Sequence, residues 1–573
     1  MTGDVFELSD RLVDDLIDLS PIKATYIGVD GFDHLWDDLS PEGVEEEDSR
    51  LRRYRQAFAT LPAGRDPWEE LARRVGSEYV EEHLETIAHE DPFCDLNTVA
   101  SPLQNVRQVF DHMDTSTAVG WENIAARMET VHEVIGGYQR TLEAGKRKGL
   151  RVARRQVVGG CTDARIQAAD GSFFASAPAR FRAWGGAGAG LESRLEAAAG
   201  SARDAFASFA DYLEHHYLPD AQAEDGVGFD RYLRHAHRHL GMDIDPDETY
   251  QWGWTEVVAL HRRMVTVAAQ IDPTESLPGV VQVLKIDPAR CASSAEQFIQ
   301  IMTERQERAL AELDGTHFDV PEPIKRLEVK VAPPGGSLGA YYVQPSEDFS
   351  RPGAVWYSLG DRQAIPLWDE VSTAYHEGFP GHHMQIGVQL TLADRLSRLH
   401  RVAVWHPGYG EGWALYTELL MDELGYLEEP EYVLGMLAAE MLRACRVVID
   451  LGLHLGYSIP GDAIFRPGED WSFEAAVGML QEFAFLYPDY AASEVIRYLG
   501  WPGQAISYKV GERVILDLRE AMKTRRAGAF DLKEFHSRVL GSGPVGLTHL
   551  QELVLGSQLP TTSRTPRPGS GTD

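Results

Sequence analysis

The segment that most constrains this chain is residues 375–385, Tyr-His-Glu-Gly-Phe-Pro-Gly-His-His-Met-Gln, where three imidazoles and one carboxylate fall within eight residues. Apolar residues before it recur at helical spacing, which predicts the first turns of a helix over residues 368–375. His376 and Glu377 are neighbours and therefore point in different directions from that helix. This pair suits a zinc site in which the imidazole binds the metal and the carboxylate takes a proton from water.

The spacing of the histidines departs from the usual zinc-peptidase motif, in which the second His stands four residues after the first. Here Pro380 holds that position, and the next imidazoles are His382 and His383. On an ideal helix a residue six positions on lies about 240° round and roughly 9 Å along the axis, too far to share one metal with His376. Gly378 and Pro380 favour a kink that would bring the second imidazole back. The alternative is an exposed histidine cluster at a helix break.

A second stretch, residues 410–418, reads Gly-Glu-Gly-Trp-Ala-Leu-Tyr-Thr-Glu and follows a helix stop at residues 406–408. Glu411 would lie in the first turn of a new helix, where a carboxylate is favourable. Glu-Gly-aromatic-Ala, with a second Glu seven residues after the first, resembles the third-ligand helix of gluzincin metallopeptidases. In those enzymes the first Glu completes a zinc site of two His and one Glu. The alternative is an ordinary amphipathic helix with two surface carboxylates.

Together these motifs resemble a large bacterial family, domain of unknown function 885, which is gluzincin-like and grouped with the peptidase MA clan. The motifs are His-Glu-x-x-Pro-Gly-His-His and Glu-Gly-Trp-Ala-Leu-Tyr-x-Glu. Blocks at residues 20–28, 446–454 and 502–511 are also similar to the family, so the resemblance covers most of the chain. It implies a zinc hydrolase without a settled substrate.

The resemblance implies a metal site with one Zn²⁺ per chain, held by His376, His382 and Glu411. His382 is preferred over His383 because Pro-Gly-His is expected to be the constant element of the family. His383 is then expected to contact substrate or to support the ligands. Glu418 lies two turns beyond Glu411 and is expected to hydrogen-bond a ligand histidine.

The resemblance also implies catalytic roles. Glu377 is the expected general base, which takes a proton from the metal-bound water and later gives it to the leaving amine. Tyr508, or alternatively His454, is expected to stabilise the oxyanion. Gln504 is expected to contact the substrate. For Tyr508 the alternative is packing in the core.

A long helix is predicted over residues 430–456, and Arg443, Arg446, Asp450 and His454 are spaced three and four apart along it. Such spacing places them in one polar stripe. The intervening residues are apolar, so the helix is predicted to be buried and its stripe to face a cavity. Asp450 and His454 are therefore expected to support the metal site or bind substrate. The alternative is an ion-pair ladder on the surface.

A small sheet is predicted at about residues 326–360, immediately before the His-Glu helix. Its strands are residues 327–331, 339–344 and 354–358, with a turn at residues 333–336. Gluzincins pair an edge strand there with an extended substrate backbone. We expect residues 339–344 or 354–358 to line the cleft; the alternative is a hairpin that only covers the core.

These features predict a mainly α protein, a large multi-helix metallopeptidase-like fold with a small β-sheet beside the active-site helix. Residues 1–225 are expected to be a helical region that forms one cleft wall, and residues 226–558 the catalytic region. Residues 559–573 are expected to be a disordered tail.

Two other motifs are interpreted as structural features without a role in function. The glycine-rich piece at residues 185–190 lacks the Lys and the strand of a phosphate loop, which favours a flexible connection between helices. His235 and His239 lie four apart, yet no acidic third ligand stands at a convincing spacing. An exposed polar helix face is the preferred interpretation of residues 235–239.

Composition excludes some partners and suggests a compartment. A net charge of -34 argues against binding to nucleic acid or to an anionic membrane. Cys94, Cys161, Cys291 and Cys445 form no CxxC pair and are interpreted as buried free thiols in a reducing compartment. Neither a signal peptide nor a membrane span is predicted, and a cytoplasmic location is expected.

The predicted function is zinc-dependent hydrolysis of peptide (amide) bonds in small peptides, because a deep cleft would exclude folded proteins. The alternatives are hydrolysis of a non-peptide amide or ester, and a non-catalytic metal-binding protein. Manganese or cobalt would also fit the ligand set. Substrate identity, exo- or endo-cleavage and the oligomeric state stay open.

Overall fold

The computed structural model describes residues 4–185, 189–332, 339–360, 362 and 364–556. Over these residues the protein is mainly α-helical with two small sheets, so the predicted mainly α, multi-helix class is confirmed, while the metallopeptidase-like character stays a prediction. The predicted tail at residues 559–573, the predicted turn at residues 333–336 and residues 186–188 of the glycine-rich connection lie outside the described residues. None of the helices in the described part of the chain has both the length and the apolar character that a membrane crossing requires.

The chain divides into two compact units. The first comprises Met1–Arg65, Glu69–Asp225 and Leu499–Trp501, and the second comprises Asp66–Trp68, Gly226–Tyr498 and Pro502–Asp573.

The first unit is built around α10, which packs against α6, α7, α8 and α9. Trp121, Tyr138 and Phe206 are buried in its core. The helices of this part of the chain are α1 (Val5–Leu19), α2 (Pro21–Ile27), α3 (Pro41–Ala59), α4 (Pro67–Ala88), α5 (Pro102–Gln108), α6 (Ala118–Glu129), α7 (Val131–Lys148), α8 (Arg154–Ala168), α9 (Phe173–Trp184) and α10 (Ala189–Tyr212).

The second unit carries all the predicted site residues. Its helices are α11 (Phe229–Leu240), α12 (Pro246–Ile271), α13 (Leu277–Ile286), α14 (Ala295–Leu313), α15 (Glu370–Glu377), α16 (His382–Thr391), α17 (Arg398–Val402), α18 (Pro407–Glu423), α19 (Pro430–Leu455), α20 (Phe473–Phe483), α21 (Pro488–Gly500), α22 (Ser507–Arg526), α23 (Leu532–Gly541) and α24 (Leu547–Leu555).

Helix α19 is the buried centre of this unit. It packs against α12, α15, α18, α20 and α22. Val447, Val448 and Ile449 are fully buried although they lie on different faces of the helix. A helix that is apolar all round is stable only when other elements surround it, and the predicted burial of this helix is therefore confirmed.

The predicted sheet is also present. Its strands are β2 (Leu327–Val331), β3 (Gly339–Val343) and β4 (Gly353–Ser358), in the order β2-β4-β3. Strand β4 is central, parallel to β2 and antiparallel to β3. A separate two-stranded pair joins β1 (Cys291–Ala292) and β5 (Ile365–Pro366). Strand β3 packs beside α15, so the sheet lies next to the His-Glu helix.

The four cysteines are free, as expected from their spacing. Cys94 and Cys445 are buried, but Cys161 and Cys291 are only half-buried. The prediction of burial is therefore wrong for these two thiols. The reducing compartment stays a prediction.

Helices α18 and α22 cross at glycines, which brings Glu411 close to the start of α22. A Cβ added to Gly412 would lie 2.6 Å from the Cα of Gly511. A Cβ added to Gly511 would lie 1.9 Å from the carbonyl oxygen of Gly408. The obstacles are backbone atoms that cannot rotate away, so only glycine permits this separation.

The substitution Gly412→Ala tests this crossing. It should lower the free energy of unfolding by about 1–3 kcal/mol, because the added methyl group forces the two backbones apart. Urea denaturation of the purified chain measures the change.

Gly541→Ala is the matched control, since a Cβ on Gly541 meets no atom within 4 Å. Its stability should be unchanged or higher by up to about 1 kcal/mol. Equal stability of Gly412→Ala and wild type would contradict the close crossing.

Candidate metal centre

The helix that carries His376 is broken directly after Glu377. Helix α15 ends at Glu377 and α16 begins at His382, with the Phe379–Pro380 bond cis between them. The chain turns so tightly here that a Cβ on Gly381 would lie 2.0 Å from the carbonyl oxygen of His376. The break therefore depends on glycine at this position. The change in chain direction at the break brings the His382 side chain close to His376.

Side chains from two other helices bond the backbone groups near the break. The buried Gln306 of α14 donates from Nε2 to the Ala374 carbonyl at 2.6 Å. Its Oε1 accepts from the Phe379 N–H at 2.7 Å. Trp413 of α18 donates from Nε1 to the Pro380 carbonyl at 3.0 Å. The Ala374 carbonyl also accepts the Gly378 N–H at 2.9 Å. The Phe379 N–H and the Pro380 carbonyl are satisfied by side chains in place of helical bonds.

The break and the first turn of α18 bring together His376, His382 and Glu411. Ligand atoms of the three side chains lie within 4.8 Å of one another. The Nε2 atoms of both imidazoles lie 3.4 Å from the same carboxylate oxygen, Oε2 of Glu411. The two rings are 5.0 Å apart at an angle of 89°. Two imidazoles and one carboxylate that converge in this way form a donor set suited to a divalent metal.

Glu418 supports the cluster from two turns further along α18. Its Oε1 accepts from Nδ1 of His376 at 2.9 Å, and its Oε2 accepts from the Ser372 hydroxyl. Burial opposes a charge on His376, but the hydrogen bonds to Glu411 and Glu418 outweigh it and raise its pKa to about 9. The bond to Glu418 directs Nε2 of His376 toward Glu411.

The two remaining carboxylates of the centre differ in pKa. Burial would raise the pKa of Glu411, but His382 and His376 overcome it and hold that pKa well below its usual value. Burial raises the pKa of Glu377, against the opposing effect of the two histidines and of Arg443. Of these two residues, Glu377 therefore binds a proton more readily than Glu411, which suits a general base.

His383 is held away from the cluster by two hydrogen bonds. Its Nε2 donates to the Ile324 carbonyl at 2.7 Å, and Nδ1 lies 3.0 Å from the Tyr342 hydroxyl. Burial lowers its pKa to about 4, so the ring is neutral. Because both ring nitrogens have protein partners, His383 ties strand β3 to α16 and is not among the three converging groups.

Tyr508 lies in the first turn of α22, close to Glu411. Burial is the main cause that raises its pKa, and the Glu411 carboxylate adds to it. The Arg446 guanidinium lies over its ring, 4.5 Å from the centroid. Gln504 hydrogen-bonds Tyr508 and accepts at 2.6 Å from Nη1 of Arg497. The structure therefore places Tyr508 beside the centre and Gln504 behind Tyr508.

Asp450 and His454 bond mainly to other elements of the unit. Asp450 Oδ2 accepts from the Tyr232 hydroxyl at 2.9 Å and from the Gly503 N–H at 3.0 Å. His454 accepts at Nδ1 from Val227 N–H at 3.3 Å and donates from Nε2 to the Tyr498 carbonyl at 3.1 Å. Both ring nitrogens of His454 are thus engaged with backbone. The roles predicted for these two residues stay predictions.

His235 and His239, the other histidine pair considered for a metal site, differ in part from the prediction. His239 of α11 is buried because this helix packs against α18, α19 and α22, so the predicted exposed face is wrong at that position. Neither His235 nor His239 belongs to a metal-ligand group among the described residues. Such a group does occur on the surface of the first unit, with Asp211, Glu214 and His215, but Glu214 already pairs with Arg165.

Sequence reasoning missed Gln306, which lies 70 residues before the motif it supports. A signal was present: Gln306 interrupts the apolar face that Phe298, Met302, Ala309 and Leu313 form along α14. A polar residue at a buried helical position must find a buried partner. The partner itself, a backbone break, could not be named from that signal. Tyr342 and Ser372 carried no comparable signal.

Three comparisons with known proteins complete the description of the site. The family model described as "Bacterial protein of unknown function (DUF885)" matches residues 21–554. A solved structure of a "putative lipoprotein" from Colwellia psychrerythraea has 23% sequence identity and a TM-score of 0.84, and covers 96% of this chain and 98% of that chain. Another, of a "putative lipoprotein of unknown function" from Shewanella oneidensis, has 17% identity and a TM-score of 0.73, and covers 96% and 100%. These two structures share the fold. No curated protein matches the chain.

The support that Gln306 gives to the helix break can be tested with Gln306→Leu. Loss of the amide leaves the Phe379 N–H buried without that partner, at a cost of about 1–3 kcal/mol. The Ala374 carbonyl keeps its hydrogen bond from the Gly378 N–H. The free energy of unfolding in urea should therefore fall by about 1–3 kcal/mol, since leucine recovers part of the cost through apolar burial.

Gln300→Leu is the control on the same helix, because Gln300 is exposed and, among the described residues, bonds Glu304 one turn away. It should change stability by no more than about 0.5 kcal/mol. If both leucine variants were equally stable, Gln306 would not support the break.

Proposed function

We infer that this chain, which belongs to the bacterial family of unknown function DUF885, is a zinc-dependent hydrolase of peptide bonds. The observation that carries the proposal is the convergence of His376, His382 and Glu411, with Glu377 adjacent to the first ligand. A protein that only stored metal would have no need of a carboxylate base beside a ligand. The substrates proposed are small peptides.

The residues present fit a zinc ion. Two imidazole nitrogens and one carboxylate oxygen are a common catalytic ligand set, which leaves a fourth position for water or substrate. Glu418 behind His376 supplies the carboxylate that usually orients a zinc-bound histidine. The second imidazole, His382, has no hydrogen-bond partner for Nδ1 among the described residues. On this ligand set we place the chain with the gluzincin metallopeptidases as part of the proposal.

Zinc at this position would lower the pKa of a bound water and polarise the scissile carbonyl. Glu377 would act as the general base, which takes a proton from the attacking water and gives it to the leaving amine. Burial raises the pKa of Glu377, which makes the carboxylate a stronger proton acceptor.

Tyr508 is the proposed donor to the oxyanion. Its hydroxyl remains protonated, because burial and the Glu411 carboxylate raise its pKa, so it can donate a hydrogen bond. His454 is the weaker candidate, since its Nε2–H is already donated to the Tyr498 carbonyl. We therefore assign oxyanion stabilisation to Tyr508, and to His454 the orientation of α19 against Tyr498.

Strand β3 supports a peptide as the substrate. Among the described residues β3 pairs only with β4, so its other edge remains available for an added strand. Tyr342 of β3 bonds His383, which follows the ligand His382 in sequence. This bond holds the strand beside the metal centre, where an extended substrate would present its scissile bond.

The two lipoprotein descriptions apply to the neighbouring proteins. The cytoplasmic location of this chain stays a prediction.

The metal content of the purified chain tests the ligand assignment. Wild type should hold about one zinc per chain, His382→Ala should lose it, and His383→Ala should keep it. Each substitution removes one imidazole, and the two positions are adjacent, so each variant is the control for the other. Elemental analysis gives the stoichiometry, and circular dichroism verifies that each variant is folded.

Loss of zinc in His383→Ala alone would show that His383, and not His382, is the second metal ligand. No metal in any of the three proteins, even after zinc is added back, would refute the metallohydrolase.

The substitution Glu377→Gln tests turnover separately from metal binding. It should keep zinc while hydrolysis of a peptide library, followed by mass spectrometry, slows by about 10²–10⁴-fold, the usual contribution of a general base. Glu520→Gln, an exposed carboxylate on α22, should leave the rate unchanged.

If Glu377→Gln hydrolysed peptides as fast as wild type, Glu377 would not be the general base. Cleavage of esters or non-peptide amides alone would keep the hydrolase and change its substrate class.

A further inference from the structure

We propose that Arg446, with Arg443 beside it on α19, forms a subsite for a carboxylate group next to the metal centre. The substrate would then be a peptide with a carboxylate close to the scissile bond, at its C-terminus or on an acidic side chain. This inference rests on the hydrolase proposed above and specifies the substrate of the same site.

Arg446 carries a hydrogen-bonding capacity that the protein does not use. The residue is only 6% exposed. Its Nε donates to the Tyr498 hydroxyl at 3.2 Å and Nη2 to Glu494 Oε2 at 2.7 Å. Its Nη1 is buried and has no partner among the described residues. A buried charged donor without an acceptor is costly, so such a group indicates a missing ligand.

The charge around Arg446 is not balanced by its neighbours. Glu494 Oε2 also accepts from Arg497 Nη2 at 3.0 Å and from the Tyr498 hydroxyl at 2.7 Å. One carboxylate therefore bonds two guanidinium groups, so Glu494, Arg446 and Arg497 together carry a net positive charge. A bound carboxylate would neutralise that charge and accept from the free N–H groups in the geometry that arginine favours.

Arg443 adds a second cation one turn before Arg446 on α19. Its Nη1 donates to the Ala439 carbonyl of its own helix at 3.2 Å, while Nε is buried without a partner among the described residues. Its guanidinium lies 5.8 Å from the Tyr508 ring centroid. Both arginines thus lie around the same tyrosine with unused donors.

Tyr508 connects this pair to the metal centre. Its ring lies under Arg446, and the Glu411 carboxylate acts on its hydroxyl. Helix α19 packs against α15, which carries His376, and against α18, which carries Glu411. The unused donors therefore lie one side chain away from the cluster, where they would hold a substrate residue rather than the carbonyl that reacts.

The test compares the binding of free acids with that of amides. The full-length chain carrying Glu377→Gln, so that bound peptides survive, is incubated with a randomised N-acetyl tripeptide library. One half of the library has a free C-terminal carboxylate and the other half a C-terminal amide. Equilibrium dialysis and mass spectrometry give the retained amounts, with the protein as isolated and after EDTA treatment.

Free acids should be retained at least about tenfold better than the matching amides, with or without metal, because one charge-assisted hydrogen-bond set is lost in the amide. In Arg446→Gln the preference should fall to within about twofold, and in Arg443→Gln it should weaken. Arg263→Gln, an exposed arginine of α12, should keep the full preference.

Retention of amides only when they contain Asp or Glu would identify a side-chain carboxylate and still support the subsite. The subsite would be overturned if the Glu377→Gln chain, with Arg443 and Arg446 intact, retained neutral amides and free acids equally. A preference that survives in both Arg446→Gln and Arg443→Gln would also overturn it.

Arg446→Gln leaves Glu494 with fewer partners and risks misfolding. If circular dichroism shows that it is unfolded, Arg443→Gln decides, because within the described part of the chain Arg443 donates to its own helix and to no other element.

Zinc content and hydrolysis by the chain with Glu377 intact are measured in parallel. An arginine-dependent acid preference without zinc or hydrolysis would refute the proposed function and keep the subsite. Zinc and hydrolysis without that preference would refute the subsite alone.

Discussion

The centre depends on hydrogen bonding around a four-residue gap between two helices. Gly378–Gly381 separates α15 from α16, and buried backbone groups next to it cannot be left without partners. Gln306 and Trp413 supply those partners from α14 and α18. Because the same gap returns His382 to His376, the stability of the fold and the position of the second imidazole have a common physical origin.

Helix α19 is buried, yet it carries polar side chains that bond to neighbouring elements. Asp450, His454 and Arg446 all bond to other elements of the second unit, mostly to backbone groups or to the Glu494 carboxylate. These bonds orient α19 against α21 and the start of α22. Tyr508 and Gln504 are positioned in consequence. The polar stripe therefore consists partly of supports for the fold and partly of the two arginines with unused donors.

Much of the helical fold was predictable because apolar periodicity and capping residues are local signals. The three strands were found within one residue of their ends, and α19 within one residue of its predicted end. The convergence of His376, His382 and Glu411 came instead from similarity to known motifs, since the shape of a helix break is not encoded in spacing alone. The partners of His383 and His454 are carbonyls distant in sequence, Ile324 and Tyr498, and a backbone carbonyl has no signature in the amino-acid sequence. The support by Gln306 escaped prediction for the same reason.

The net charge of the chain, -34, is opposite in sign to the cluster around Arg446. Mobile ions screen the many surface carboxylates beyond about 8 Å at physiological ionic strength, whereas buried charges are screened much less. A ligand bound beside Arg446 therefore experiences the local arginines more strongly than the distant surface. Arg443 also acts on Glu377 and Glu418. A carboxylate is therefore favoured beside Arg446, where two guanidinium groups share the single Glu494 carboxylate. Composition argues against a polyanion as partner, which stays a prediction, whereas the sign of the charge at the site had to come from the contacts of individual side chains.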